Sequence, residues 1–401
     1  MPDDLVMKIT NHIPASLVLG SVLGAASPTR AGEGGTVFAE IIPFPDEASS
    51  WANAYFSDDG QLRLLHTYAQ NNSDIYQYLD GEWALIRREL WTPVPGITPM
   101  SVSADGSVIV LTDFFRTDVL MDDAVMTMPR TWMVPEQHND HTDDRMVWGR
   151  VRGGEISRNG RVVTMSGWET DRHDGDSLVW TGGDDLVNIS TPLPREDHSY
   201  AAGMPDADGS VIAFEGDTPS GNRIWVWEDG ELTEVPSLDD DADQPLHLRA
   251  VSADGQAVFG VADGPRRGSL GYRDALTEET DWDRPTHRAS TAWMWTRTTG
   301  TVEIIDRSRF LETDLKDIDA NGDIALIMAR PHGSNLARPY LWLGDDNYLL
   351  IADMLKAYGV SIDADSFGFN EISDDGTKLT GLAYIDGRAH ALIVTIPDLT
   401  P

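Results

Sequence analysis

One short turn recurs seven times along this chain, and each copy is followed by an apolar strand. The copies read Phe56-Ser-Asp-Asp-Gly60, Val102-Ser-Ala-Asp-Gly106, Ile156-Ser-Arg-Asn-Gly160 and Pro205-Asp-Ala-Asp-Gly209, then Val251-Ser-Ala-Asp-Gly255, Ile318-Asp-Ala-Asn-Gly322 and Ile372-Ser-Asp-Asp-Gly376. Successive glycines lie 46 to 67 residues apart. Units of that length bury their apolar faces by stacking on one another, so the repeat dictates the architecture. Asp-Gly and Asn-Gly predict a tight type I′ hairpin, which needs positive φ at both central residues.

A second strand, usually carrying Trp, follows each turn: Thr131-Trp132, Leu178-Val-Trp180, Ile224-Trp-Val-Trp227, Ala292-Trp-Met-Trp295 and Leu341-Trp342, with Ile75-Tyr-Gln-Tyr78 and His390-Ala-Leu-Ile393 in the end units. A polar turn and one more strand complete most units, as in Asp229-Gly-Glu-Leu-Thr-Glu-Val235. Four strands in each of seven units describe an all-β, seven-bladed β-propeller. The last unit stops after its third strand, and Gly34-Gly-Thr-Val-Phe-Ala-Glu-Ile-Ile42 resembles the fourth strand of unit five, Gly300-Thr-Val-Glu-Ile-Ile305. The N-terminal strand is therefore expected to complete the last blade and close the ring. One helix is expected, from Leu349 to Tyr358.

Composition narrows the function. The 401 residues carry 66 acidic against 30 basic side chains, a formal charge of −36. That excludes phosphate-backbone recognition and attachment to anionic lipid, so no nucleic-acid partner is expected. With 48 Asp against 18 Glu, and 26 Arg against 4 Lys, the surface suits saline surroundings. Cysteine is absent, which removes disulfides and thiolate chemistry. No apolar run reaches the length of a membrane span. Residues 1–31, with the apolar stretch Ile13 to Ala26 before Thr29-Arg30-Ala31, read as a signal peptide or a disordered arm ahead of a propeller over 32–401. The expectation is a secreted, periplasmic or cell-surface protein, monomeric because the ring closes on itself.

The units resemble the HAF repeats of extracellular bacterial proteins, whose consensus pairs Ser-x-Asp-Gly with a His-Ala-Phe-x-Trp strand. Gly387-Arg-Ala-His-Ala-Leu-Ile393 is the nearest local match, and Ala292-Trp-Met-Trp295 echoes it. The turn is also similar to Tol-type propeller repeats. The resemblance implies export and a propeller, and it carries no catalytic residues.

In such a blade the Ser-x-Asp-Gly turn joins the first two strands on one face. The second-to-third connections lie on the other, where propellers bind. Those connections read as Thr67–Ile75, Phe114–Thr131, Gly167–Ser177, Gly216–Arg223, Val261–Ser290, Ala329–Pro339 and Tyr384–His390, and they hold 12 of the 26 arginines. Arg130, Arg223, Arg288, Arg338 and Arg388 precede the third strand and read as framework. The remaining Arg116, Arg172, Arg266, Arg267, Arg273, Arg284 and Arg330, with His173, Tyr272 and Trp282, form the candidate ligand set. Arginine forks grip carboxylates, and exposed aromatics stack on sugar rings. An anionic glycan or a protein partner is the expected ligand.

Asp317, Asp319, Asn321 and Asp323 match the first half of an EF-hand loop and are the candidate calcium ligands, although position 12 is Met328. His138 and His141 form a weaker metal pair. No nucleophile motif appears, and His173, His198, His247 and His332 are the titratable groups on the loop-rich side. The leading expectation is a non-catalytic binding propeller. The alternatives are a polysaccharide lyase or hydrolase acting on an anionic polymer, and a structural surface protein.

Overall fold

The computed structural model describes residues 7–10 and 37–399, apart from 46–51, 58, 70–71, 91–97, 113–116, 122–123, 128–148, 170–174, 183–185, 194–198, 219–220, 239–244, 263–289, 305–307, 335 and 398. Seven antiparallel sheets form seven blades of strands A to D, in chain order except in blade 7, whose strand D comes from the N-terminus. Blade 1 holds Ala52–Phe56, Leu62–Ala69, Asn72–Leu79 and Glu82–Leu90, and blade 2 holds Thr98–Val102, Val108–Thr112, Thr117–Met121 and Ala124–Thr127. Blade 3 holds Gly149–Ile156, Val163–Glu169, Gly175–Trp180 and Leu186–Asn188. In blade 4, strand A is split into Ser199–Tyr200 and Met204–Pro205, followed by Val211–Thr218, Gly221–Glu228 and Glu231–Glu234. Blade 5 holds Leu246–Val251, Ala257–Ala262, Thr291–Thr296 and Gly300–Glu303, and blade 6 holds Phe310–Ile318, Ala325–Pro331, Arg338–Trp342 and Tyr348–Leu350. Blade 7 takes Ser366–Ile372, Lys378–Ile385 and Arg388–Thr395 from the C-terminus and Phe38–Pro43 from the N-terminus, paired Ala39 to Val394 and Ile41 to Leu392. The ring closes as the sequence predicts.

The Ser-x-Asp-Gly turns hold the blades together. The serine hydroxyl donates to the Asp or Asn two residues on, at 2.6–2.8 Å in blades 1, 2, 3, 5 and 7. In blades 2, 3, 5 and 7 it also accepts the amide five residues on. Each turn then reaches sideways. Ala104 donates its N–H to the Arg158 carbonyl, Asn159 to Ala207, Ala207 to Ala253, Ala253 to Ala320 and Ala320 to Asp374, at 2.7–3.1 Å. This belt links blades 2 to 7, and Lys378 Nζ donating to the Asp59 carbonyl at 2.6 Å ties blade 7 to blade 1.

These turns are not type I′. Only their glycines have positive φ; the pairs Asp80-Gly81, Asp229-Gly230 and Asp386-Gly387, where both residues do, lie elsewhere in the blades. The glycine amide bonds back to the carbonyl three residues earlier at 2.7–3.1 Å in blades 1, 2, 3, 5, 6 and 7, whether that residue is serine or aspartate. The glycine faces the preceding blade: a Cβ at Gly209, whose φ is +81°, would lie 2.2 Å from Val162.

Packing between the blades is aliphatic and aromatic. Trp293 is fully buried between blades 4 and 5, and Phe259 between blades 5 and 6. The helix α1 (Ile351–Ala357), a little shorter than expected, buries Ile351, Met354 and Leu355 in the core shared by blades 6 and 7.

Several expected connections are strands instead. Leu62–Ala69 and Asn72–Leu79 leave two residues between them, as do the B and C strands of blades 4 and 7. In blade 2 the third strand is Thr117–Met121, not the segment around Trp132, which lies outside the described residues. Val119 is fully buried there and the Thr112 and Thr117 hydroxyls bond at 3.2 Å. Met7–Thr10 pairs with Phe38–Ile41 as a fifth strand on blade 7, while the rest of 1–31 lies outside the described residues.

Two outcomes follow for stability. Gly209→Ala carries both the left-handed cost of about 1–2 kcal/mol and an overpacking cost of about 1–3 kcal/mol. Gly230→Ala, at φ +85° with nothing within 4 Å, carries only the first, and urea unfolding of both variants will separate the two. In blades 4 and 6 an aspartate replaces the turn serine. Burial raises the pKa of Asp206 and Asp319 despite their backbone bonds. A raised folded-state pKa costs stability above that pKa, and the cost vanishes below the unfolded value of about 4. Asp206→Ser and Asp319→Ser should therefore raise Tm at pH 7, with a gain that shrinks on acidification.

Candidate functional site

The two faces of the ring differ in what they leave available. At the end bearing the A–B turns, the axial channel is a cavity of about 390 Å³ lined by all seven blades. Strand A carries a register shift just before the turn in blades 2, 5, 6 and 7, leaving Met100, Arg249, Lys316 and Asn370 over. A bulge re-aims side chains, and Arg249 and Lys316 line the cavity with Glu155, Arg158, Asp317 and Glu371. These charges are held in place. Lys316 and Arg249 share Asp314 at 2.7 and 3.8 Å, and Asp317 Oδ2 accepts the Ile372 amide of blade 7 at 2.9 Å. Arg158 of blade 3 pairs with Asp374 of blade 7 at 2.8 Å, bridging the channel rim.

Two of the four calcium candidates, Asp317 and Asp319, accept backbone amides of the ring. Asp319 Oδ1 accepts the Ile324 amide at 2.9 Å in the place of a turn serine, and Asp317 fastens blade 7. Among the described residues no three His, Cys, Asp or Glu converge as a metal site.

The opposite, loop-bearing face carries the B–C and D–A connections. Of the ten expected ligand residues, Arg116, Arg172, His173, Arg266, Arg267, Tyr272, Arg273, Trp282 and Arg284 lie outside the described residues. Arg330 ends strand B of blade 6, nearly buried, with Nη2 2.9 Å from Glu312. Four of the six exposed large apolar side chains among the described residues lie at this end of blades 6 and 7: Leu311, Leu336, Phe367 and Tyr384. Arg338 and Arg388 open the third strands of these blades and are exposed. Phe367 gives no signal in the sequence, because it looks like any strand residue, and Arg388 reads there as framework.

Between blades 4 and 5 the same face holds a polar cluster. Glu215 accepts the Leu248 amide at 2.5 Å and the Asn222 amide nitrogen at 2.8 Å, and His247 Nδ1 lies 3.9 Å away. Burial pushes the Glu215 pKa up, but the bonds from His247, Asn222 and Leu248 outweigh it, and the net shift is downward. A depressed folded-state pKa contributes stability that is present above the ordinary carboxylate value and lost as pH falls through the folded one. Glu215→Leu, which strands the Leu248 amide, should cost about 1–3 kcal/mol at neutral pH. The deficit should narrow on acidification, as read by chemical unfolding at several pH values.

No family model and no curated protein matches the chain. Among solved structures, an oligogalacturonate lyase in complex with manganese aligns over 90% of this chain and 94% of that one, at 11% identity and a TM-score of 0.53. TolB from Acinetobacter baumannii aligns over 86% of this chain and 64% of that one, at 11% identity and a TM-score of 0.38. A TolB-type protein of Agrobacterium tumefaciens covers 67% and 84% at 13% identity, with a TM-score of 0.40. At such identities the first likeness shows the fold. No helix among the described residues is long and apolar enough to cross a membrane.

Proposed function

We propose that the chain is an exported, non-catalytic propeller that binds an anionic polysaccharide through its loop-bearing face. The observation that carries this reading is the contrast between the faces. The turns of one face are joined by backbone bonds and charges of its channel are paired, whereas Phe367 and Tyr384 are exposed at the same end of blades 6 and 7 as Arg338 and Arg388 on the other face. A rigid ring with one variable face is how scaffold-borne recognition is commonly built. The apolar stretch Ile13 to Ala26 and the resemblance of the repeats to those of extracellular proteins support export, while Met7–Thr10, seated on blade 7, argues against removal of the whole of 1–31.

A second reading, a lyase or hydrolase on an anionic polymer, draws on the fold shared with oligogalacturonate lyase and on the His247–Glu215 pair. There His247 would move a proton and arginines would neutralise substrate carboxylates. Incubating the full chain with anionic and neutral polysaccharides, then sizing each polymer by chromatography, separates the two. Co-elution with an anionic polymer at unchanged length is expected. Shortened polymer would overturn the non-catalytic reading, and co-elution with none would overturn binding.

A further inference from the structure

We infer that Arg338 and Tyr340, on strand C of blade 6, together hold one singly charged oxyanion of the ligand, a carboxylate or a sulfate ester, with Arg309 as a second positive charge beside them. The inference rests on the binding reading above and deepens it.

Register brings the two side chains together. Arg338 is paired with Ala329 and Tyr340 with Ile327. Directly paired residues share a sheet face, so Arg338 and Tyr340 lie on the face whose Ala329 and Ile327 enter the core shared with blade 5. Residues two apart on one face of a strand stand about 7 Å apart, close enough for a guanidinium and a phenol to meet on one group. Arg338 opens the strand at the loop-bearing end and is exposed, and Tyr340 follows it, half-buried.

Ring contacts fix the phenol. Buried Phe310 meets Tyr340 edge-on at 5.2 Å between centroids, and Tyr348 at the same distance. The Tyr348 hydroxyl in turn donates to the Ile304 carbonyl, just past strand D of blade 5, at 2.9 Å. The Arg309 guanidinium lies over the Tyr348 and Phe310 rings, 5.2 and 5.8 Å from their centroids, and donates to the Asp346 carbonyl at 3.2 Å.

The donors here are unspent. Arg63, Arg158, Arg223, Arg249, Arg297 and Arg330 each pair with a carboxylate. Among the described residues Arg338 and Arg309 form no ion pair, and the Tyr340 hydroxyl has no hydrogen-bond partner. Asp345 and Asp346 in the adjoining turn are exposed and pair with neither arginine. Burial pushes the Tyr340 pKa up and the Arg338 and Arg309 charges offset this only in part, so the phenol keeps its proton and donates at neutral pH. The Asp353 carboxylate of α1 also bears on this hydroxyl, in the same direction as burial. A guanidinium and an O–H with one acidic side chain in range suit a single oxyanion better than a densely charged group.

The test is titration calorimetry of the full chain with an oligogalacturonate, the same oligosaccharide after carboxyl reduction, and a sulfated glycan. Arg338→Ala should weaken binding of the charged ligand about tenfold, the worth of a hydrogen bond to a charged group. Tyr340→Phe should weaken it by a similar factor with Tm unchanged, because the hydroxyl it removes bonds nothing among the described residues. The double variant should lose less than the product of the two single losses, since both side chains hold one group. Arg297→Ala, which removes an equal charge already paired with Glu228, should bind as the wild type does. Losses confined to the oligogalacturonate identify a carboxylate, and losses confined to the sulfated glycan a sulfate ester. If the wild type binds a charged glycan and Arg338→Ala or Tyr340→Phe matches it, or Arg297→Ala weakens it equally, this subsite is wrong while the binding reading stands. If carboxyl reduction leaves both the affinity and the variant losses unchanged, the bound group is not an oxyanion and the assignment fails. If the wild type binds none of the three, the broader reading fails with it.

Discussion

The turn between strands A and B, held by its serine hydroxyl in blades 1, 2, 3, 5 and 7 and by an aspartate carboxylate in blades 4 and 6, is the element on which the rest of the ring depends. In blades 2 to 7 its backbone groups point sideways and form the belt that joins neighbouring blades. Backbone groups buried at a rim must find partners. Here they find them in the next copy of the same turn, so the repeat satisfies itself only when it closes. Bringing Phe38–Pro43 onto the C-terminal blade completes that circuit and ties both ends of the chain into one sheet.

A face organised in this way has little left to offer a ligand. Its channel charges are coupled to one another, as Lys316 and Arg249 are through Asp314, and Arg158–Asp374 spans the rim. In the reading proposed above, recognition falls to the end where the connections differ from blade to blade. The overall charge of −36 makes any exposed guanidinium there conspicuous to an anion only at short range, since screening confines the field to about 10 Å at 0.1 M salt.

Much of the fold was legible because the turn chemistry is local. Seven Asp-Gly or Asn-Gly signals and their spacing predict the blade count, and the orphan strand near residue 38 predicts closure. The turn type was not legible, since Asp-Gly and Asn-Gly alone predict two left-handed residues whereas only the glycine of each turn is left-handed. Nor was strand C of blade 2, which carries no tryptophan. For the site, nine of the ten residues expected from the sequence lie outside the described residues, and Arg330 alone is placed, paired with Glu312 at the loop-bearing end of blade 6. The exposure of Phe367 has no signature in the sequence, because it depends on how two blades meet. Asp317 and Asp319 show the converse: ligand-like spacing is used by the backbone of the ring itself.

The division of labour between the faces is measured most directly by hydrogen exchange on the full chain with and without polygalacturonate. Slowed exchange confined to the loop-bearing ends of blades 6 and 7, around 330–339 and 366–369 together with 384–390, is the predicted result. The seven turns should exchange slowly and equally in both states. Polymer-dependent protection at the turns or in the axial cavity, with the loop-bearing ends unchanged, would contradict it.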